Sequence, residues 1–311
     1  MKQTIFTTLL LITVAIVSSC KKDSYPTIKQ YDQSEIQSYI QANGLSMTRD
    51  TAGGDTTGIY YQILTPGTGA RLQYSDSVRF VFTVKTLDGK FVSTDTIQAN
   101  HFADYLGHLT SHSLPYGLEL ALINDIKYSG TRARVLVPSR LGYGVSGYSS
   151  GGSSTLGNKI PGNESLDYYI NVIDDQAKYD DMVINNYIKS SGLTGKFTKT
   201  ASGLYYMFDT QPAGTDPVTD LSTVTVTYTG QLFNAAIFDE YNTAGGTSFN
   251  IVDLTAGAAE GLKLTKAGAL ITLLVPSNLA YGGKGTSGST GTNVPAFACL
   301  RFDFQVLSVT P

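Results

Sequence analysis

The octapeptide Val-Pro-Ser-Arg-Leu-Gly-Tyr-Gly at residues 137–144 recurs as Val-Pro-Ser-Asn-Leu-Ala-Tyr-Gly at residues 275–282, 138 positions further along the chain. A second landmark, Gly-Ile-Tyr-Tyr at 58–61, reappears in the same order as Gly-Leu-Tyr-Tyr at 203–206. A period this long is unlike the 20–50-residue units of solenoid proteins. The sequence therefore predicts two copies of one globular domain in a chain of 311 residues.

Each copy is preceded by apolar residues at the spacing of a helix face. The matching positions of the two segments are Ile36, Tyr39 and Ile40, and Ile184, Tyr187 and Ile188. We expect a short amphipathic helix in each, with Ser34 as the N-cap of the first. The predicted divisions are a signal peptide at 1–19, a polar tether and helix at 20–58, a first domain at 59–175, and a helix plus second domain at 176–311.

The remaining pattern is mostly that of strands. Val78, Phe80, Phe82 and Val84 alternate with other residues and would share one face of a strand. Short helices are expected at 117–123 and 255–264. Predicted strands occupy 59–64, 78–86, 132–138 and 165–173 in the first copy, and 203–208, 224–230, 269–276 and 299–309 in the second. The fold class is therefore α+β, with an antiparallel sheet wrapped on a short helix in each domain.

The N-terminus reads as a targeting signal. After Lys2, an apolar run at 5–17 is too short to span a bilayer as a helix. The run ends in Val-Ser-Ser-Cys at 17–20, which resembles the lipobox of bacterial lipoproteins, and this implies cleavage before Cys20 and lipid attachment to it. The expected location is the cell envelope, as a lipoprotein of the outer membrane. The alternative is an ordinary secretory signal with a chance cysteine.

Several functional classes are disfavoured. The net charge is −3 with no basic run, which argues against nucleic acid as a partner. The glycine-rich stretches at 144–159 and 282–293 lack a phosphate-loop pattern, and no cofactor is expected. His108 and His112 have the spacing of a helical metal pair, but serine and threonine surround them, so a polar loop without metal is favoured. If Cys20 carries lipid, Cys299 has no cysteine left in the chain with which to form a disulfide, and we interpret it as a structural residue.

Five motifs in the second copy follow one another in a recognisable order. They are Val-Thr-Tyr-Thr-Gly at 226–230, Phe-Asp at 238–239, Pro-Ser-Asn-Leu-Ala-Tyr-Gly at 276–282, Val-Pro at 294–295 and Leu-Arg-Phe-Asp at 300–303. In this order and spacing the second copy resembles the FKBP family of peptidyl-prolyl isomerases. The resemblance implies a shallow apolar pocket that accepts a proline ring, and proline-containing polypeptides as partners. It implies neither a metal nor a cofactor.

The same resemblance assigns roles to individual side chains. Tyr281 would offer its hydroxyl to a substrate carbonyl, while Asp239 and Tyr228 would form a polar edge. The residues expected to contact the proline ring, as walls or floor, are Phe238, Phe249, Leu254, Thr255, Ala258, Val294 and Phe302. Rotation about an X–Pro bond opposes a resonance barrier of about 18–20 kcal/mol, and a pocket of this kind would favour the twisted amide.

Both copies depart from the family pattern. Ala258 stands where the family usually has a tryptophan floor, so weak catalysis is expected. In the first copy Phe82 replaces the tyrosine, Val92 replaces the aspartate, and Leu118 occupies the floor, so fold without catalysis is expected there. The leading hypothesis is a peptidyl-prolyl isomerase acting on exported polypeptides in its second domain. The alternatives are a non-catalytic peptide-binding or chaperone lipoprotein, and a structural spacer on a lipid anchor.

Overall fold

The computed structural model describes residues 25–52, 54, 56–97, 99–149 and 159–311. Within these ranges the chain forms two seven-stranded antiparallel sheets, and each sheet packs on a short helix. The α+β fold with two tandem domains is confirmed. The predicted signal peptide and Cys20 lie outside the described residues.

The first copy begins with helix α1 and builds its sheet in the order β1-β2-β6-β9-β3-β4, with β5 also paired to β3. Between β5 and α2 the chain forms a 3-10 helix, Leu106–His112, and α2 continues as a π-helical turn, Leu122–Ile126. A separate two-stranded ribbon is formed by β7 and β8. The elements are α1 Ile28–Ala42, β1 Thr48–Arg49, β2 Tyr60–Thr65, β3 Ser77–Thr86, β4 Val92–Ser93, β5 His101–Tyr105, α2 Tyr116–Ala121, β6 Arg132–Val137, β7 Tyr148–Ser149, β8 Lys159–Ile160 and β9 Leu166–Ile173.

The second copy repeats the same topology. Its sheet order is β10-β11-β15-β16-β12-β13, with β14 also paired to β12. Each strand therefore has a counterpart at the same place in the first sheet, as duplication requires. The elements are α3 Gln176–Ser190, β10 Thr198–Lys199, β11 Tyr205–Thr210, β12 Thr223–Leu232, β13 Ile237–Tyr241, β14 Thr247–Asn250, α4 Ala256–Lys263, β15 Leu270–Val275 and β16 Leu300–Thr310.

The long strands lie within about two residues of their predicted bounds, but both N-terminal helices begin earlier than predicted. Ser34 is not an N-cap. Helix α1 starts at Ile28 behind Thr27, whose hydroxyl forms a capping box with Gln30. Helix α3 starts behind Asp175, well before Ile184, the first of its predicted apolar positions. The first turns of these helices place no residue in the core, so hydrophobic periodicity could not reveal them, and part of the predicted tether is helix. The short strands were not predicted; they are β1, β4, β5, β7, β8, β10, β13 and β14.

The central helices α2 and α4 lie very close to the strand and turn that carry the repeated octapeptide. A Cβ atom on Gly257 would overlap Val275 and come within 3.2 Å of the Leu279 side chain. In the first copy, a Cβ on Gly117 would similarly overlap Val137 and approach Leu141 to 2.9 Å. A side chain at either glycine would push the helix off the sheet. The repeated phrase and the central helix therefore form one packed unit in each domain.

The helices that precede the two copies pack in the same way. Ile36 of α1 is fully buried and contacts Tyr60 and Leu136 of the first sheet. In the second copy Ile184 of α3 lies in a cluster that includes Leu274 and Cys299. Helix α1 is thus packed on its sheet as α3 is, although the sequence placed it with the tether. None of the helices in the described part of the chain is long and apolar enough to cross a membrane.

Candidate functional site

A cleft of about 200 Å³ opens on one face of the second sheet, between β12, β13, β16 and the start of α4. Its lining is mainly aromatic and apolar, with polar groups at the rim. The lining residues are Tyr228, Asp239, Phe249, Asp253, Leu254, Thr255, Ala258, Tyr281, Phe302 and Phe304. A concave apolar surface with a few convergent polar groups is typical of a small-ligand or peptide side-chain site.

One edge of the cleft is a hydrogen-bonded polar group. The Tyr228 hydroxyl donates to Oδ2 of Asp239 over 2.8 Å, and the Ser289 hydroxyl donates to Oδ1 of the same carboxylate. Burial, and after it the neighbouring carboxylate of Asp239, raises the pKa of Tyr228 well above its usual value. The phenol therefore stays protonated at physiological pH and holds Asp239 in a fixed orientation.

The Tyr281 hydroxyl lies in the same cleft and makes no hydrogen bond with any other residue the structure describes. Burial raises the pKa of Tyr281, and the negative charge of Asp239 raises it further. The group is therefore a protonated donor that the fold leaves unused. A ligand carbonyl entering the cleft would be a suitable acceptor.

Stacked and perpendicular rings form the apolar side of the cleft. The rings of Phe302 and Phe304 stack with centroids 5.5 Å apart, and Tyr228 meets Phe249 edge-on at 5.7 Å. Phe238 lies perpendicular to Phe302 at 5.6 Å. Such pairs hold one another in place beyond what burial alone achieves, so the wall is preformed.

The structure brings together most of the residues that the sequence assigned to a site. Tyr228, Asp239, Tyr281, Phe249, Leu254, Thr255, Ala258 and Phe302 line the cleft. Phe238 and Val294 do not belong to the lining, because they are 1% and 3% exposed in the core behind it.

Two lining residues were not in the predicted set. Phe304 lies two positions after Phe302 on β16, so it faces the same side of the sheet, and strand alternation could have identified it. Asp253 ends the 3-10 turn Ile251–Asp253, and no sequence signal pointed to it.

The floor of the cleft is open and partly polar. Ala258, in the first turn of α4, contributes only a methyl group. Next to it, the hydroxyl of Thr255 is buried and has no hydrogen-bond partner in the described part of the chain. Thr255 is the N-cap residue of α4, but its side chain does not cap the helix. A buried hydroxyl without a partner is costly, and a ligand that accepted a hydrogen bond from it would remove that cost.

The first copy has a cleft at the corresponding place, with about 260 Å³ of space. Phe82, Tyr143 and Tyr168 contribute to its lining, as Tyr228, Tyr281 and Phe302 do in the second copy. The Tyr143 hydroxyl donates to the backbone carbonyl of Ser113 over 3.1 Å, so it is occupied within the fold.

Strand register corrects one equivalence between the copies. Gly230 lies opposite both Phe302 and Asp239, while its counterpart Val84 lies opposite Tyr168 and Ser93. Ser93, not Val92, therefore occupies the position of Asp239. Ser93 lines the first cleft and is hydrogen-bonded to the Asn100 side chain, with the Asn100 amide nitrogen 2.8 Å from its hydroxyl. Val92 is largely exposed.

The histidine pair is organised around one carboxylate. His108 Nδ1 and His112 Nε2 lie 3.3 and 2.9 Å from the same oxygen of Asp104. The segment is a 3-10 helix, Leu106–His112, where the sequence favoured a polar loop. In the described part of the chain, no group of three or more histidine, cysteine, aspartate or glutamate residues is arranged to hold a metal ion.

Comparison with known proteins identifies the family. Residues 214–307, which include the whole lined cleft, match the sequence profile described as FKBP-type peptidyl-prolyl cis-trans isomerase. The second copy is a domain of the FKBP family. The profile match does not extend into the first copy.

Several FKBP relatives are similar to this chain. The isomerase FkpA of Buchnera aphidicola subsp. Acyrthosiphon pisum is 35% identical over 130 residues, which cover 42% of this chain and 50% of the relative. FkpA of Escherichia coli K12 is 34% identical over 143 residues, covering 44% and 51%. FkpA of Buchnera aphidicola subsp. Baizongia pistaciae is 29% identical over 242 residues, covering 72% and 92%. The chain thus spans about half the length of the first of these relatives.

Among solved structures, the crystal structure of FkpA from Escherichia coli is similar over 43% of this chain and 61% of that chain. Its sequence identity is 31% and its TM-score 0.36.

Proposed function

We propose that the second copy catalyses cis–trans isomerisation of X–Pro peptide bonds. The observation that carries the proposal is the unused Tyr281 hydroxyl, which faces the same apolar cleft as the Tyr228–Asp239 pair. This cleft lies in the domain that matches the isomerase family. No nucleophile, metal or cofactor is needed, because the reaction breaks no covalent bond.

Rotation about the X–Pro bond must overcome amide resonance, at a barrier of about 18–20 kcal/mol. In the proposed mechanism the proline ring lies against Phe302 and Phe249, and the Tyr281 hydroxyl donates to a carbonyl of the substrate. The aromatic wall offers little solvation to the planar, more dipolar amide, so the twisted form gains relative stability. Asp239, fixed by Tyr228 and Ser289, orients the polar side of the bound peptide.

The decisive test is proline isomerisation by the full chain, with matched tyrosine substitutions in the two copies. Tyr281→Phe removes the free hydroxyl and should lower kcat/KM roughly tenfold, since one hydrogen bond is worth about 1 kcal/mol or somewhat more. Tyr143→Phe removes the hydroxyl that is already bonded to Ser113 and should leave turnover unchanged. Equal losses in the two variants, or no loss in either, would contradict the assignment.

A second candidate is a non-catalytic peptide-binding or chaperone module. The open floor at Ala258 and the unpartnered hydroxyl of Thr255 favour it, because both make the cleft a poorer fit to a bare proline ring. This reading predicts saturable binding of proline-containing peptides by the wild type, with no acceleration of isomerisation at any concentration.

The remaining elements of the proposal concern the first copy and the location. We place the domain division at residues 174–179 and assign turnover to the second domain alone, with modest activity.

The substrates are proline-containing segments of exported polypeptides, and the protein is held in the cell envelope, at the outer membrane, by lipid on Cys20. Metabolic labelling with a fatty acid should mark the wild type but not Cys20→Ala. Equal labelling of both would remove the anchor from the proposal.

A further inference from the structure

Helix α3 places a buried carboxylate against the repeated octapeptide. Asp180 is 0% exposed, and its Oδ2 accepts hydrogen bonds from the backbone nitrogen of Ser277 at 2.8 Å and from the Ser277 hydroxyl at 2.6 Å. Its other oxygen accepts from the side-chain amide of Gln176 at 2.7 Å. A carboxylate is costly to bury unless its oxygens are hydrogen-bonded. The bond from Gln176 lies within α3, and the two bonds from Ser277 stabilise one specific docking of α3 on the turn.

The first copy contains the same arrangement. Asp32 of α1 is also 0% exposed and accepts from the Ser139 hydroxyl at 2.6 Å and from the backbone nitrogen of Arg140 at 3.3 Å. Arg140 adds an ion pair at 3.5 Å that the second copy lacks. The two copies therefore join the preceding helix to the same serine of the octapeptide. We call this contact the helix–turn latch, formed by Asp180 with Ser277 and by Asp32 with Ser139.

In the second copy the latched serine starts the segment that carries Tyr281. Ser277 opens the 3-10 turn Ser277–Leu279, and its carbonyl accepts from the backbone nitrogen of Ala280 at 3.1 Å. Tyr281 follows directly, and the carbonyl of Gly282 accepts from the Phe297 nitrogen at 2.8 Å. The segment between the latch and Gly282 is thus tied at both ends.

The same turn also supports the floor of the cleft. Gly257 of α4 packs so closely on Leu279 that an added Cβ would lie 3.2 Å from its side chain. Ala258 is the next residue and lines the cleft. A shift of the turn at Ser277 would therefore change the position of the Tyr281 hydroxyl relative to the floor. Helix α3 contributes none of the cleft's lining residues, so its influence on the cleft has to pass through this turn.

We propose that Asp180 is a positioning residue for the isomerase reaction. Through its hydrogen bonds with Ser277, Asp180 holds the turn in the conformation that keeps the unbonded Tyr281 hydroxyl in the cleft. Helix α3 then contributes to catalysis in the second domain by positioning Tyr281, and α1 occupies the equivalent place in the first copy. The proposal rests on the function proposed above, and its test has one arm that does not depend on turnover.

The test uses the full chain with four variants. Asp180→Ala removes the latch, Asp180→Asn keeps an acceptor oxygen, and Ser277→Ala removes the hydroxyl only. Asp32→Ala is the matched control, because it breaks the same latch in the other copy. We expect Asp180→Ala to lower kcat/KM about tenfold, Asp180→Asn to recover most of that loss, and Ser277→Ala to fall between them. Asp32→Ala should leave kcat/KM within twofold of wild type.

A double-substitution cycle separates positioning from general destabilisation. In a Tyr281→Phe background, Asp180→Ala should cause little additional loss, because the hydroxyl it positions is already gone. Independent losses that multiply would overturn the proposal. So would an unchanged kcat/KM in a folded Asp180→Ala protein. If Asp180→Ala does not fold, Ser277→Ala takes its place. It should lower kcat/KM more than Asp180→Asn does, and its loss should not multiply with that of Tyr281→Phe. An unchanged kcat/KM or a multiplied loss would overturn the proposal.

The turnover-independent arm is amide hydrogen exchange of the segment from Ser277 to Tyr281. Faster exchange there in Asp180→Ala than in wild type, with the corresponding segment of the first copy unchanged, supports the latch even if the wild type shows no isomerase activity. Unchanged exchange in this segment overturns the latch even if the wild type is active. Failure of the proposed function and failure of this inference are therefore distinguishable.

Discussion

The two copies agree in what builds the fold and differ in what lines the cleft. They share strand order, the close approach of the central helix at Gly117 and Gly257, and the helix–turn latch. At the cleft, Phe82 stands where the second copy has Tyr228. The backbone framework was therefore kept in both domains while the hydrogen-bonding groups of the cleft diverged.

The contact between helix and sheet shows a different kind of divergence. In the first copy the Tyr39 hydroxyl donates to Asp167, which is also held by Arg134 over 2.7 Å. In the second copy Tyr187 accepts from Arg301, which pairs with Asp303. The same helix position is tied to an arginine–aspartate pair in both copies, but the charges occupy different strand positions. The packing of the helix on the sheet thus retains a hydrogen-bonded arginine–aspartate pair in both copies. The strand positions that supply the arginine and the aspartate can differ.

The largest expected effect comes from making the second cleft resemble the first at its polar edge. Asp239→Ser removes the carboxylate that accepts from Tyr228 and Ser289. A hydrogen bond to a charged group is worth about 1.5–3 kcal/mol, so kcat/KM should fall roughly 10- to 100-fold. Proline isomerisation by the full chain measures it.

The reciprocal variant sharpens this result. Ser93→Asp supplies a carboxylate to the first cleft, but Phe82 has no hydroxyl to hold it and Tyr143 remains bonded to Ser113. We therefore expect no gain in turnover in a chain whose second cleft is inactivated by Tyr281→Phe. A clear gain would mean that the aspartate alone separates the two copies.

The stability of the first copy should depend on pH through the buried carboxyl of Asp125. Burial raises the pKa of Asp125 to about 7, with the charge of Asp50 adding to the effect, and one Asp125 oxygen has no hydrogen-bond partner among the described residues. The folded carboxyl thus holds its proton more tightly than the unfolded one, whose pKa is about 3.9. The resulting stability is present at low pH and is lost as pH rises towards 7.

Asp125→Asn should therefore stabilise the protein by about 2 kcal/mol at pH 8 and change little at pH 4. Urea unfolding at both pH values measures the difference. Asp216→Asn, at an exposed position of the second copy, is the control and should be neutral at both. An equal gain for Asp125→Asn at pH 4 and pH 8 would show that ionisation of the Asp125 carboxyl does not destabilise the folded protein.

The smallest expected effect concerns the floor of the cleft. The first copy has the fully buried Leu118 where the second has Ala258. Ala258→Leu should fill part of the open floor and raise affinity for a proline-containing peptide roughly fivefold, about 1 kcal/mol, because apolar contact is worth about 25 cal/mol per Å². Equilibrium binding measures it. Ala256→Leu, exposed on the same helix, should leave affinity unchanged, and a gain there would point to a non-specific hydrophobic effect.

The sequence alone determined the duplication, the α+β class and most residues of the cleft. These follow from short-range signals: two octapeptides of matching spacing, period-two alternation along the long strands, and motifs whose order matched a family. The same signals located Tyr228, Asp239 and Tyr281, because each stands inside a recognisable phrase.

Only the tertiary structure decided which of these groups remain available for a ligand. Tyr143 and Tyr281 occupy the same place in the repeat, yet the first hydroxyl is bonded to Ser113 and the second makes no bond within the described chain. The position of Ser93 and the latch at Asp180 likewise depend on strand register and on contacts between residues far apart in sequence. Hydrogen bonds and burial are set by three-dimensional neighbours, and a linear pattern of residue types does not contain that information.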